Sequence, residues 1–317
     1  MSFHDIKPVE PADFYLDVAF RRAKELSLAQ RPKVKITTNL QKSRVMELYK
    51  LEVIKNNLIA NLDKIIRNFP SIKDLDSFYF ELMKCTLDID YLRQSLGSLG
   101  WAIKKILDFH KLYKNKMMNS TDIKTINRYR REFYGRISSV LKQISKNLAY
   151  LEESRRLMKE YPVIKTSVKT IVITGFPNVG KTTLLYKLTG SKPDIKNYPF
   201  TTKGINVGYL KIREEKLQLL DTPGSLNRFD KMNNIEKQAY LAIRYLASLI
   251  VYVFDLTESY PIEQQIALYH DLKNLNKEII VFLSKVDLTK DKALVHKFVK
   301  EYDAIININE LKEKLEV

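Results

Sequence analysis

The sequence is short of the residues that would commit it to several large classes of protein. A single cysteine, Cys85, excludes an internal disulfide framework and a cysteine-based zinc site. Nine glycines and ten prolines in 317 residues are too few for a loop-rich or disordered chain. No apolar run approaches the roughly 18–20 residues of a membrane span. The longest candidate, SLIVYVFDLT, is interrupted by Asp255. The opening residues, MSFHDIKPVEPADF, are polar and acidic and lack the apolar core of a signal peptide. These absences point to a reducing, cytoplasmic setting with no membrane partner, and they leave the oligomeric state open.

Acidic residues are also in deficit. The chain carries 54 Lys+Arg against 37 Asp+Glu, a formal net charge of +17. The excess is concentrated in residues 1–168, with 32 basic against 19 acidic side chains. A polyanionic partner is therefore expected to meet the N-terminal half.

Two periodicities divide the chain. Across residues 11–160 apolar side chains recur at three-and-four spacing, as in Leu48, Leu51, Ile54, Leu58, Leu62 and Ile65. Four helical stretches are expected: 39–69, about 74–84, 86–114, and about 120–159 in one piece. Thr38 or Asn39 and the Ser120-Thr121-Asp122 run are cap signals, and Pro70 and Pro162 lie just past helix ends. From 161 onward short β-branched runs take over: TIVIT, INVGYLKI, LQLLD, LIVYVFD, IIVFLS and AIIN. Most are separated by helical stretches, the alternation of a parallel sheet covered on both faces. The expected fold is α followed by α/β: an antiparallel helical bundle over 1–160, then an α/β domain over 161–317 with a mostly parallel sheet flanked by helices.

The phosphate site is specific. Gly175-x4-Gly180-Lys181-Thr182 lies between an expected strand and helix. Glycines let backbone N–H groups turn toward phosphate oxygens, and the helix N-terminus adds its positive end. Residues Gly175, Pro177, Asn178, Val179, Gly180, Lys181, Thr182 and Thr183 make up this site. Lys181 would neutralise phosphate charge, and the Thr182 hydroxyl would ligate Mg²⁺. Asp221, in Asp221-Thr222-Pro223-Gly224, would hold the same ion through water, while the Gly224 N–H meets the γ-phosphate. Between them lies NYPFTTKG, with Phe200, Thr201 and Thr202. Thr202 is the first candidate for a hydroxyl that closes on Mg²⁺, and Thr201 the second.

Ser284-Lys285-Val286-Asp287 is one letter from an Asn-Lys-x-Asp guanine box. The Asp287 carboxylate can accept the N1–H and N2–H hydrogens of guanine, a pair that adenine does not present. Lys285 can lie across base and ribose. Ser284, shorter than Asn and with one hydroxyl, implies a weaker tether between base loop and phosphate loop. A GTP/GDP site is the expected reading, which makes 161–317 a P-loop GTPase domain, and an ATP site or one of relaxed choice is the alternative. Ser225 stands where many G proteins place the Gln that orients water, so intrinsic hydrolysis should be slow. Arg228 nearby is read as a surface residue.

The basic excess peaks between 101 and 150, with 12 Lys+Arg against 3 Asp+Glu. Lys111, Lys114, Lys116, Lys124, Arg128, Arg130, Arg131 and Arg136 are interleaved with Tyr113, Tyr129 and Tyr134. Cations can neutralise phosphates and tyrosines can stack on exposed bases, so this is the RNA candidate. Each tyrosine taken singly is better read as core. Trp101, Cys85 and the four histidines are read as packing or surface residues.

GFPNVGKTT, YPFTTKGINVG, DTPG, IEKQAYLAIRYLA and YPIEQQIALY, in that order, resemble Obg-type translation GTPases. The nearer resemblance is to the Nog family of nucleolar GTP-binding proteins and their archaeal relatives. The helical half, through NFPSIKDLDSFYFELMKCTLDIDYLRQSLG and LAYLEESRRLMKEYPVI, is similar to the domain that precedes the GTPase in that family. The resemblance implies a role in maturing the large ribosomal subunit, with its precursor particle and rRNA as partners. It also makes Asn178 a candidate for binding an activating K⁺. Three features depart from the family: Ser225, Ser284, and the stretch Asn307 to Asn309 where a Ser-Ala base loop is usual. Asp287→Asn is expected to relax the preference for guanine over other bases, measured by competition between GTP and its base analogues.

Overall fold

The computed structural model describes residues 3–33, 38–190, 205–212, 215–222, 234–257, 260–289 and 291–315. The chain forms two compact units. One comprises Met1–Ile72 and Leu87–Tyr161, the other Lys73–Thr86 and Pro162–Val317. In chain order the first helices are α1 (Ala12–Gln30), α2 (Asn39–Asn68), α3 (Ser77–Thr86), α4 (Ile89–Met118), α5 (Ile123–Gln143) and α6 (Ser145–Lys159).

All of these except α3 build the first unit. Polar side chains fix the starts of α2, α4 and α5. Thr38 accepts from the Gln41 N–H, Asp88 from that of Tyr91 and Asp122 from that of Thr125, each such cap stabilising a helix by about 1 kcal/mol. The apolar stripes meet in a single interior. Leu51, Ile54, Leu58 and Leu62 of α2, Leu99, Ala102 and Ile106 of α4, and Phe133, Ile137 and Leu141 of α5 have no exposed surface. Each large apolar side chain removed from water in this way contributes about 1.5–3 kcal/mol.

Two expectations change here. The helix expected from 120 to 159 is interrupted at Ile144, whose backbone (φ −94°, ψ 5°) ends α5 and starts α6 while its side chain stays buried. One non-helical residue leaves the apolar spacing almost unaltered, so periodicity cannot reveal it. The stretch expected near 74–84 forms α3, but it groups with the second unit, where it packs against the helix over 234–246. The Tyr79 hydroxyl donates to the Pro162 carbonyl at 2.8 Å and accepts from the Ile164 N–H at 3.0 Å. The Thr166 hydroxyl donates to Asp76 at 2.6 Å. These bonds link segments far apart in sequence, which is why a linear boundary at 160 misses them.

The second unit continues with β1 (Thr170–Thr174), α7 (Lys181–Thr189), β2 (Asn206–Ile212), β3 (Glu215–Asp221), α8 (Asn234–Leu246), β4 (Ala247–Asp255), α9 (Ile262–Lys273), β5 (Glu278–Ser284), α10 (Lys292–Tyr302) and α11 (Ile308–Leu315). Its five strands take the order β2-β3-β1-β4-β5. Only β2 and β3 pair antiparallel, and the remaining pairs are parallel. This is the expected mostly parallel sheet, with β2 and β3 pairing as a hairpin at one edge. AIIN, expected as a further strand, makes only a one-residue bridge between Ile305 and Phe282. Leu184, Leu185 and Leu188 of α7 and Leu311 and Leu315 of α11 share one core cluster with Ile171, Ile173, Leu219, Val251 and Val253. Elsewhere in the unit, Phe254 packs in an aromatic group with Tyr252, Tyr269, Phe298 and Tyr302. Parallel strands all carry their C-terminal ends to one edge, and the ends of β1, β4 and β5 therefore meet there.

In the first unit, Glu152 of α6 accepts from Arg155 twice at 2.7 Å, from Arg156 at 2.8 Å and from the Val9 N–H at 3.0 Å. The Arg155 bonds lead in lowering its pKa to about 2 against the opposing effect of burial, with the Val9 and Arg156 bonds assisting. A carboxyl lowered on folding stabilises above its ordinary value, and that stabilisation is lost as pH falls through the folded one. Glu152→Gln should cost about 2 kcal/mol at neutral pH. It should also flatten the loss of bundle stability on acidification from pH ~5 to pH ~2. Chemical denaturation followed by circular dichroism measures both, and equal acid slopes for the two proteins would contradict the assignment.

Candidate nucleotide site

The site is built from strand ends. β1 is buried along its whole length and ends at Thr174, and Gly175 opens the loop with φ +146°. A Cβ there would stand 2.5 Å from the Val253 carbonyl oxygen of β4, so the loop lies directly on the neighbouring strand. Asn178 (φ 61°) and Gly180 (φ 97°) then adopt left-handed backbone, and α7 starts at Lys181. Asn and Gly carry that conformation at least cost. The turn leaves the N-terminal N–H groups of α7 at the loop, a position suited to anion binding. Farther along α7, Gly208 of β2 lets Leu185 and Thr189 approach to where a Cβ would be 2.9 Å away.

Three sequence-expected side chains converge. Lys181 is buried, and its ammonium donates to the Phe176 carbonyl at 2.6 Å. The Thr182 hydroxyl donates to Asp221 Oδ2 at 2.5 Å. Asn206 donates to the same oxygen at 2.9 Å from the position opposite Asp221 in the β2–β3 ladder. Asp221 Oδ1 is buried and has no hydrogen-bond partner among the described residues. Burial raises the Asp221 pKa against the lowering effects of Thr182, Asn206 and Lys181. A hydroxyl and a desolvated carboxylate with a spare oxygen fit the donor set that Mg²⁺ prefers. Asn206 was missed in the sequence. Only the hairpin register places it there.

The turn after β5 comes to the same edge. Ser284 Oγ lies 2.6 Å from the Val179 carbonyl and 3.0 Å from that of Phe254. The short side chain reaches the phosphate loop because the two turns lie in contact: a Cβ at position 180 would stand at an ordinary packing distance, 3.8 Å, from the Ser284 Cβ. The tether is thus present, with one donor hydrogen shared between two acceptors. Lys285 has φ +53°, and its ammonium lies 2.7 Å from Asp255 Oδ2 instead of standing free for a base. Burial opposes ionisation of Asp255, but hydrogen bonds from Lys285 and Thr257 outweigh it and hold the carboxyl below its ordinary range. Asp287 is exposed at the tip of the turn. Asn307 and Asn309 are exposed as well, and the Asn307 carboxamide accepts from the Asn309 N–H at 2.8 Å, which opens α11. Phe200, Thr201, Thr202, Gly224, Ser225 and Arg228 lie outside the described residues.

The RNA candidates divide in two. Lys111, Lys114 and Lys116 of α4, and Lys124, Arg128, Arg131 and Arg136 of α5, are exposed. Arg130 is engaged by the nearly buried Glu47 of α2 at 3.2 Å. The tyrosines are not free platforms. Tyr113 is buried. Tyr134 stacks on Phe20 with centroids 4.7 Å apart, and burial together with the Glu47 charge pushes its pKa up to about 12. Tyr129 is flanked by Lys116 and Arg128 at 5.4 and 5.2 Å. The large apolar side chains that do face solvent on α4 are Trp101, Leu107, Leu112 and Met118.

A left-handed phosphate loop over β4, a threonine–carboxylate pair beside it and a Lys-x-Asp turn tethered to it define a P-loop domain of the GTPase class. Comparison with known proteins carries this further. Residues 3–165 match the family model described as the NOG1 N-terminal helical domain, and residues 170–285 match that of a 50S ribosome-binding GTPase. An uncharacterised protein of Methanocaldococcus jannaschii is 40% identical over 80% of this chain and 72% of its own length. Nucleolar GTP-binding protein 1 of Kluyveromyces lactis is 30% identical over 97% of this chain and 48% of its own length. That of Saccharomyces cerevisiae is 31% identical over 93% and 46%. The chain belongs to the Nog1 family of GTP-binding proteins. It spans about half the length of these two nucleolar relatives.

Replacing Ser284 with Ala removes the only side-chain hydrogen bond from position 284 to the phosphate loop. GTP affinity should fall about fivefold to tenfold, for a hydrogen bond of about 1 kcal/mol. Equilibrium titration with a fluorescent GTP analogue measures it.

Proposed function

We propose that this chain is a GTP-hydrolysing switch in the maturation of the large ribosomal subunit, with its helical unit bound to rRNA of the precursor particle. The observation that carries the nucleotide half is the Thr182–Asp221 pair with its unpartnered buried oxygen, set beside the left-handed loop at the start of α7. The loop N–H groups would bind phosphate oxygens, and Lys181 would exchange the Phe176 carbonyl for them. Thr182 and, through water, Asp221 would hold Mg²⁺, with Thr202 joining them while γ-phosphate is bound. The ion would supply charge neutralisation on the phosphates. Asp287 would accept from guanine N1–H and N2–H. Asn178, exposed and left-handed at the loop, would be the residue nearest an activating K⁺. With Ser225 at the water-orienting position, turnover would depend on the particle.

The ribosomal half is supported by the family and by charge. Seven of the eight basic side chains singled out between 111 and 136 face solvent, positioned to neutralise phosphates in a salt-dependent way. Among the described residues no helix is long and apolar enough to cross a membrane, and the proposed setting is cytoplasmic. Single-turnover GTP hydrolysis, with and without large-subunit particles and in K⁺ against Na⁺, tests the switch. Stimulation by particles and tighter particle binding with GTP than with GDP are expected. Identical binding with GTP, GDP or no nucleotide, together with negligible turnover, would instead make the chain an RNA-bound assembly placeholder in which nucleotide is structural.

A further inference from the structure

Asp255 ends β4 next to the base turn, and its polar atoms are engaged at the side chain and along the backbone. The side chain is fully buried. Oδ2 accepts from Lys285, while Oδ1 accepts from the Thr257 N–H at 2.9 Å and the Thr257 hydroxyl at 2.6 Å. The backbone is clamped by one carboxamide. Gln265 accepts from the Asp255 N–H through Oε1 at 3.0 Å and donates to the Asp255 carbonyl through Nε2 at 2.8 Å. The same Nε2 lies 3.1 Å from the Tyr260 carbonyl, and the Gln265 carbonyl accepts from the Tyr252 hydroxyl at 2.7 Å. Gln265 has no exposed surface.

A group of this kind is costly to bury and gives stability no better than apolar packing would. What it provides is fixed geometry. The geometry it fixes belongs to the nucleotide site on two sides. Lys285, held by Asp255, is a non-glycine residue in left-handed backbone, a conformation that persists only when its surroundings impose it. That residue directs the turn carrying Asp287. On the other side, the Tyr260 ring packs against Phe176 of the phosphate loop with centroids 5.1 Å apart, and the Phe176 carbonyl is the one that Lys181 contacts. Gln265 and Asp255 therefore brace the base turn and the phosphate loop from one point beneath both.

We propose that Asp255, clamped by Gln265, is a positioning residue for guanine selection: through Lys285 it holds the left-handed turn that aims Asp287 at the base. This rests on the GTP reading above and deepens it. Neither residue belongs to the phosphate-loop or Lys-x-Asp motifs, and neither was singled out as a site residue in the sequence.

The test measures affinities of the full chain for GTP, ITP and ATP by competition against a fluorescent nucleotide, with circular dichroism as a check on folding. ITP keeps the N1–H of guanine and lacks the 2-amino group, so the GTP:ITP ratio reports the aim of Asp287, whereas loss of mere stability would weaken all three nucleotides alike. Asp255→Asn is expected to lower GTP affinity about tenfold or more and to bring the GTP:ITP ratio toward that of Asp287→Asn. Combining the two substitutions should change the ratio little beyond either alone. A folded Asp255→Asn protein with an unchanged GTP:ITP ratio would overturn the proposal while leaving the GTP reading intact. An unmodified protein with no preference for GTP over ITP and ATP would overturn both. If Asp255→Asn does not fold, Lys285→Met breaks the same pair from its partly exposed end. A lowered ratio supports positioning, and an equal loss for GTP and ITP limits Lys285 to stacking and overturns the proposal.

Discussion

The phosphate loop can sit where it does because nothing separates it from β4. A side-chain carbon on Gly175 would lie 2.5 Å from the Val253 carbonyl oxygen, well inside any tolerable contact. This missing atom sets the height of the loop over the sheet. Beyond it, Asn178 and Gly180 turn left-handed and α7 starts at the strand edge. The missing atom also brings Val179 within reach of a side chain as short as Ser284. The parallel order β3-β1-β4-β5 then supplies the rest. Asp221 ends β3, Asp255 ends β4 and Ser284 ends β5, so three separate stretches of sequence deliver polar groups to one edge.

Two carboxylates at that edge are shifted in opposite directions by their surroundings. Asp221 is desolvated, retains one oxygen without a partner and is pushed toward protonation. A cation beside it would reverse that shift, which suits a group that works with a metal. Asp255 is just as inaccessible but has a lysine and a threonine on its two oxygens, which hold its pKa below the ordinary range against burial. The first is open to a ligand and the second is committed to structure. The contrast between a binding and a bracing role rests on this difference in satisfied oxygens.

The helical unit is held mainly by apolar stripes, and charge enters where helices need fixing to one another. Glu47 joins α2 to α5 through Arg130, and Glu152 joins α6 to the N-terminal segment through Val9. Both withdraw basic residues from the free surface, because Arg130 and Arg155 serve carboxylates of their own unit. The exposed cations among the RNA candidates lie on α4 and α5, and the large aromatic that faces solvent on those two helices is Trp101, not the tyrosines.

Local chemistry was legible in the chain. The Gly-rich loop and its lysine, the threonine after it, the Asp-Thr-Pro-Gly run and the Lys-x-Asp turn each depend on residue type at fixed spacing, and spacing survives in one dimension. Helix caps at Thr38, Asp88 and Asp122 are local in the same sense, although only the first and last were marked in advance. The tertiary structure alone decided what depends on distant segments meeting. It assigned α3 to the GTPase unit through Tyr79 and Asp76, and it broke the last bundle helix at Ile144. It placed Asn206 on Asp221 and Lys285 on Asp255. Gln265 could have been noticed as a polar residue on the buried side of an amphipathic helix, but its two-handed grip on Asp255 is visible only when β4 and α9 lie side by side. Sequence fixes which groups a chain can offer, and folding fixes which of them face each other, because hydrogen bonds and ion pairs act over a few ångströms of space whatever their separation along the chain.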